Sequence, residues 1–285
     1  MPKATYRKGL LSMAVWMLAL VAGSCSWGAA NPEFSGKELF SKPIIPKDGM
    51  HFGEGGELVF ELFRGGTFVI DGASGLAWQR SDSYGDSAII RSARSLGERY
   101  RVAVEVGEID YGLENLKGLG QDPDYSEGPL NENGCYLLAI TDEVPSGHYT
   151  NEWWHKHRKL VIDVDNNTYG NGMPNPIFMV YFDRGNSLVA YDGRAGRWTD
   201  NWEKAVEYKR GAWYRAEVEK TDSEYVLSLY DSRGDLLQRA RVNKNDVWHA
   251  DSHPDYFVVG DPHENYYQGS LKIRAIELKR DLPNR

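Results

Sequence analysis

With 285 residues, 41% hydrophobic and 26% charged, the chain has enough apolar matter for one large packed domain and is not composed like a disordered segment. Its formal net charge of −8 argues against nonspecific binding to nucleic acid or to anionic membranes. Its cysteines are Cys25 and Cys135, too few for a disulfide framework, so stability has to come from apolar burial.

Residues 1–30 read as a signal peptide, with Lys3, Arg7 and Lys8 ahead of an uncharged apolar run from Leu10 to Gly23. That run is shorter than the roughly 20 residues a membrane-spanning helix needs, so export without a transmembrane anchor is expected, to the periplasm or the exterior. Cleavage after Ala30 in Gly28-Ala29-Ala30 is preferred over lipid attachment at Cys25, because Ala22 stands where the lipid-attachment pattern usually has Leu. Either exit leaves Cys135 without a partner and makes the mature chain more acidic than the whole.

Residues 31–56, with Pro43 and Pro46 close together, read as an extended N-terminal arm laid over the domain surface. From residue 57 to the end, short β-prone runs follow one another, separated by turn residues. They are Leu58 to Phe63, Thr67 to Ile70, Ala88 to Ile90, Tyr100 to Val106, Cys135 to Ile140, Leu160 to Val164, Ile177 to Phe182 and Ser187 to Tyr191. From Ala212 to Val242 the pattern is clearest. Tyr214, Ala216 and Val218 alternate with Arg215, Glu217 and Glu219, and Thr221-Asp222-Ser223 and Asp231-Ser232-Arg233-Gly234-Asp235 supply turns, so an antiparallel meander is predicted with one dry and one wet face. Apolar spacing of three and four is not sustained anywhere, apart from a turn or two near Trp202 to Val206. The expectation is an all-β protein, a β-sandwich of jelly-roll type with long loops at Tyr111 to Asn133, Asp142 to Arg158 and Asp165 to Pro176.

The closing third, Gly211 to Val218, the hairpin through Asp231 to Asp235, then Tyr256 to Gly260 and Gly269 to Leu278, resembles the last strands of concanavalin A-like lectin/glucanase domains. The resemblance implies a secreted or periplasmic protein associated with sugars, because that superfamily holds lectins, glycoside hydrolases, polysaccharide lyases and binding modules. It encodes a sandwich and not a substrate.

The densest chemistry lies in His148-Tyr149-Thr150-Asn151-Glu152-Trp153-Trp154-His155-Lys156-His157-Arg158. Indole and phenol faces stack on pyranose rings, and imidazole, ammonium and guanidinium groups bond hydroxyls or pair with carboxylates. His148, Trp153 and Trp154 are accordingly expected to bind a polysaccharide or oligosaccharide, with Arg194, His263 and Tyr267 joining across a cleft. An anionic glycan is slightly preferred because the cluster is basic. If the run is a strand, Trp153, His155 and His157 share one face. The bland alternative is that one Trp plugs the core while the histidines form a solvated surface. The resemblance also brings in a uronate lyase, with His155 or His157 as base, Tyr149 as acid, and Arg158 or Arg194 neutralising the uronate. A third reading is a structural envelope protein whose aromatics are all core.

His155 and His157, at i and i+2, can both reach one ion on a strand, but only His148 or Glu152 stands nearby as a third ligand. Asp163, Asp165 and Asn167 offer oxygens at alternate positions, as a structural calcium would require, although a strand running into a turn explains them equally. Glu105, Glu108 and Asp110 resemble part of the laminarinase-like carboxylate pattern, yet Tyr111 and Gly112 stand where its last acid is expected. They read instead as the wet face of an outer strand. No nucleophile elbow, phosphate-binding glycine loop, dinucleotide fingerprint or zinc-type cysteine pair is present.

Overall fold

The computed structural model describes residues 34–35, 39–81, 87–110, 136–144, 153, 157–166, 176–184, 187–189, 206–207, 211–247, 249–261 and 269–283. Residues 1–30 form one unit and residues 31–285 another. All described residues belong to the second, and none of their helices is long and apolar enough to cross a membrane.

The strands, in chain order, are β1 (Phe34–Ser35), β2 (Met50–Phe52), β3 (Leu58–Phe63), β4 (Thr67–Asp71), β5 (Leu76–Ser81), β6 (Ser87–Ser92), β7 (Tyr100–Asp110), β8 (Tyr136–Thr141) and β9 (Arg158–Asn166). They continue as β10 (Pro176–Arg184), β11 (Ser187–Val189), β12 (Val206–Glu207), β13 (Trp213–Lys220), β14 (Glu224–Asp231), β15 (Leu236–Asn243), β16 (Tyr256–Asp261) and β17 (Gly269–Arg280). One sheet runs β15-β14-β13-β7-β17-β5-β4, with β1 also on β17; the other runs β11-β10-β9-β8-β16-β6-β3-β2, with β12 also on β10. The pairings are antiparallel. The protein is thus an all-β sandwich of jelly-roll type.

The predicted meander is β13-β14-β15, and period two decides what it buries. Tyr214, Ala216 and Val218 join Tyr225, Leu227 and Leu229 in a core shared with Leu138, Ile140, Leu160 and Ile162 of the opposite sheet. Lys220 lies on the same inward face, so its ammonium ends up inside. Glu219, expected to be wet, is also buried at the end of the strand.

The N-terminal segment is more than a surface arm. Phe40 is fully buried, β2 pairs with β3, and Phe40, Phe52, Phe60 and Phe68 form a chain of ring contacts with centroids 6.2, 4.0 and 5.3 Å apart. Burying two such rings is worth several kcal/mol, roughly 1.5–3 each, which explains why this Pro-containing segment is drawn into the domain. The third expected loop also begins later than predicted, because β9 continues to Asn166.

Candidate functional site

Two places on the sandwich collect chemistry. The first is the outer face of the sheet that contains β13. Backbone register sets Trp213, Gly107, Lys272, Trp78 and Val69 side by side across β13, β7, β17, β5 and β4. Trp213 and Trp78 are therefore three strand spacings apart, about 14 Å. Two bulges shape this row. One, on β7, includes Glu108 at φ 47°, and the other makes Arg274 the extra residue on β17. A bulge re-aims a side chain, and here it sends Arg274 over the Trp213 ring, 4.6 Å from its centroid, with Nε 2.6 Å from Glu105.

The Trp213 indole lies flat on Gly107, where a Cβ would meet it at 2.3 Å, so only glycine fits. Trp78 is 37% exposed and is flanked by Arg80 at 4.9 Å and Lys272 at 5.9 Å from its ring centre. Lys272 pairs with Glu108, and Arg215 reaches Glu277 at 2.8 Å. The row opens at one end into a cleft of about 670 Å³ with Trp213, Arg215, Glu105 and Arg274 in its lining and the turns bearing Ser74 and Arg233 beside them.

The second place lies at the β8–β9 end of the other sheet. Asp142 follows β8, and its backbone N–H donates to the His157 carbonyl at 2.9 Å, so the closing ladder holds the two residues together. The His157 Nδ1 is 3.0 Å from Asp142 Oδ1 and 3.1 Å from Glu143 Oε2. A turn after β15 adds two more imidazoles. The His253 N–H donates to the His249 carbonyl at 3.1 Å, which sets the rings one above the other, 3.8 Å apart and 5° from parallel. His253 Nδ1 then lies 3.2 Å from Asp142 Oδ2, and His249 Nδ1 lies 3.1 Å from the Ser252 hydroxyl. Burial, and after it the His253 ring, hold the His249 imidazole below its ordinary pKa of 6.5.

Beneath that turn lies a buried polar node. Lys159, the extra residue where the β8–β9 register shifts, is fully buried and donates to the carbonyls of His249 and His253, each at 3.0 Å, and to Asp255 at 2.5 Å. Lys220 donates to the Ala250 carbonyl at 3.0 Å and meets Asp255 at 3.0 Å. The hydroxyls of Tyr100 and Tyr225 donate to Asp255 at 3.0 and 2.9 Å. Burial, reinforced by the Asp255 charge, raises both phenols above their ordinary range and keeps them donors, while burial lowers the Lys159 pKa against the pull of Asp255. Tyr100, Tyr225 and Lys220 come from one sheet and Lys159 from the other, so Asp255 ties the layers together and fixes the histidine turn.

The expected site is only partly covered by the described residues. Trp153 and His157 are helical, with rings stacked at 4.7 Å, because residues four apart on a helix are neighbours. Trp153 and His157 thus do not share the strand face proposed for them, because β9 starts at Arg158. Arg158, the first residue of β9, is buried at 3% exposure. The side chains of Asp163 and Asp165, and all of His148, Tyr149, Trp154, His155, Asn167, Arg194, His263 and Tyr267, lie outside the described residues.

Glu105 and Glu108 pair with Arg274 and Lys272, but the expected outer strand is corrected: β7 lies inside its sheet between β13 and β17, and of the two side chains Glu108 is the wet one, at 43% exposure against 13% for Glu105. The sequence reading missed Asp142, His249 and His253. The spacing His249-x-x-x-His253 is a signal for the two histidines, whereas no local pattern marks Asp142.

No family profile and no curated protein matches the chain. Among solved structures it is similar to a Lotus tetragonolobus seed lectin, at 10% identity over 88% of this chain and 99% of that one, with a TM-score of 0.49. It is also similar to the calcium-bound VIP36 exoplasmic/lumenal domain, at 10% identity over 88% and 92% with a TM-score of 0.49. A third likeness is to the Bacteroides ovatus xyloglucan PUL GH43B, at 9% identity over 85% of this chain and 38% of that one, again with a TM-score of 0.49. The sandwich itself is established by the strand pairing, and the chain spans well under half of the last of these proteins.

Proposed function

We propose that the protein is an exported sugar-binding sandwich that recognises a polysaccharide or oligosaccharide on the outer face of the β13 sheet. The observation that supports this reading best is the row from Trp213 to Trp78 with the cleft at its end. An exposed indole supplies an apolar face for a pyranose ring. Beside it, fixed ion pairs present donors and acceptors together, which is what sugar hydroxyls need. Because the cations there are already paired with Glu105, Glu108 and Glu277, the row favours a neutral glycan over the anionic one suggested by residues 148–158. Export rests on the charged and apolar pattern of residues 1–30.

Affinity electrophoresis on a panel of neutral and acidic polysaccharides tests the proposal. Retardation by a neutral glycan, lost in Trp78→Ala and kept in Trp153→Ala, is the expected result. The reverse pattern moves the site to residues 148–158, where the Trp153–His157 stack supports a second reading. Unsaturated product from an acidic glycan, followed by its absorbance, would establish a lyase in place of a binding protein. Absence of binding across the panel would leave the structural envelope reading.

A further inference from the structure

We propose that Asp142, His249 and His253 form a binding site for one divalent transition-metal ion of the zinc class. One ligand atom from each of these residues lies within 4.8 Å of the others. A tetrahedral ion with bonds near 2.0–2.1 Å requires ligands to stand roughly 3.4 Å apart, so a small closure of the two rings onto the carboxylate completes three corners and leaves the fourth for water.

Three features set this apart from a chance grouping. The two histidines are four residues apart on one turn, a spacing that points both rings to the same side. The turn is anchored from below, because the buried Lys159 ammonium donates to the carbonyls of the two ligand-bearing residues themselves. The carboxylate is 3% exposed and held by His157, whose ring nitrogen lies 3.0 Å away; His157 is thus a positioning residue, of the kind that orients a first ligand. His253 is 46% exposed, which gives an ion a way in.

The donor set also selects the ion. Calcium takes six to eight oxygens, whereas two imidazoles and one carboxylate are the chemistry of zinc and its neighbours. A calcium ion, anticipated at Asp163, Asp165 and Asn167, does not fit this cluster. The metal site does not depend on sugar recognition, and the two are read by different assays.

The test is calorimetric titration of chelator-treated full-length mature protein with Zn2+, repeated with Co2+ while following its visible absorption. One equivalent is expected, with tetrahedral-type cobalt absorption, a raised midpoint of thermal unfolding, and no competition from calcium. His253→Ala, a change at a half-exposed ring, and Asp142→Asn should each weaken binding at least about 100-fold, the upper end of what even an outer partner contributes. The proposal is overturned if the wild-type protein binds no zinc, if calcium displaces it, or if both variants, shown folded by circular dichroism, bind as tightly as wild type.

Discussion

Asp255→Asn removes one charge and leaves the shape of the buried node intact. In the native protein this carboxylate faces two ammonium groups, Lys159 at 2.5 Å and Lys220 at 3.0 Å, and accepts from Tyr100 and Tyr225. Breaking a buried charge pair from one side costs about 3–5 kcal/mol. A ceiling comes from the lysine itself, which can shed its proton. Starting from the ordinary value of 10.5, that release at pH 7 costs about 5 kcal/mol, at 1.36 kcal/mol per pH unit. At pH 9 the same release costs only about 2 kcal/mol. The variant should therefore lose about 4 kcal/mol at pH 7, a fall of roughly 8–16 °C in Tm for a domain of this size, and about half as much at pH 9. Urea unfolding of both proteins at the two pH values measures this. A loss below about 1 kcal/mol, or one that does not shrink at pH 9, would refute a node held by charge pairing.

Gly107→Ala should destabilise by about 1–3 kcal/mol, the usual effect of overpacking, because the new Cβ meets the Trp213 ring at 2.3 Å. Adding Trp213→Ala in the same chain should recover part of the loss; strict additivity in the double-mutant cycle would show that the two positions do not touch. Glu277→Gln should flatten the acid limb of stability. The Arg215 hydrogen bond holds the Glu277 carboxyl below its ordinary 4.5, so the unfolded chain binds its proton first, and stability present above that value is lost as pH falls through the folded pKa. Unfolding free energies between pH 6 and pH 3 that run parallel in the two proteins would contradict this. Zinc titration of His253→Ala completes the set, with loss of tight binding as the expected outcome.

The fold was legible wherever alternation was strong. Tyr214, Ala216 and Val218 announced their inward face, and Leu58 to Phe63 announced β3. β5 escaped notice because Leu76-Ala77-Trp78-Gln79-Arg80-Ser81 inverts the usual code. Gln79 is fully buried while Trp78 is exposed, so polarity points the wrong way at two positions. The short β1 and β2 were hidden in a Pro-containing segment, where β1 depends on a partner far along the chain, β17, and β2 is only three residues long.

The site was less legible for a similar reason. The crowded run His148 to Arg158 drew attention to neighbours in sequence, whereas the cluster in the structure joins Asp142 and His157 to a turn about a hundred residues away. Likewise Trp78 and Trp213 become one row only through the register of four strands. Helical Trp153 and His157 also show that a dense aromatic and basic run need not continue the strand that follows it.

A crystal structure of the protein with a neutral oligosaccharide selected from the binding panel tests sugar recognition most directly. The sugar should lie across the outer face of the β13 sheet, with a ring on Trp78 and hydroxyls bonded to the Glu105–Arg274 and Glu108–Lys272 pairs. Density for the ligand on the other sheet or at residues 148–158, with the Trp78 face bare, would contradict it.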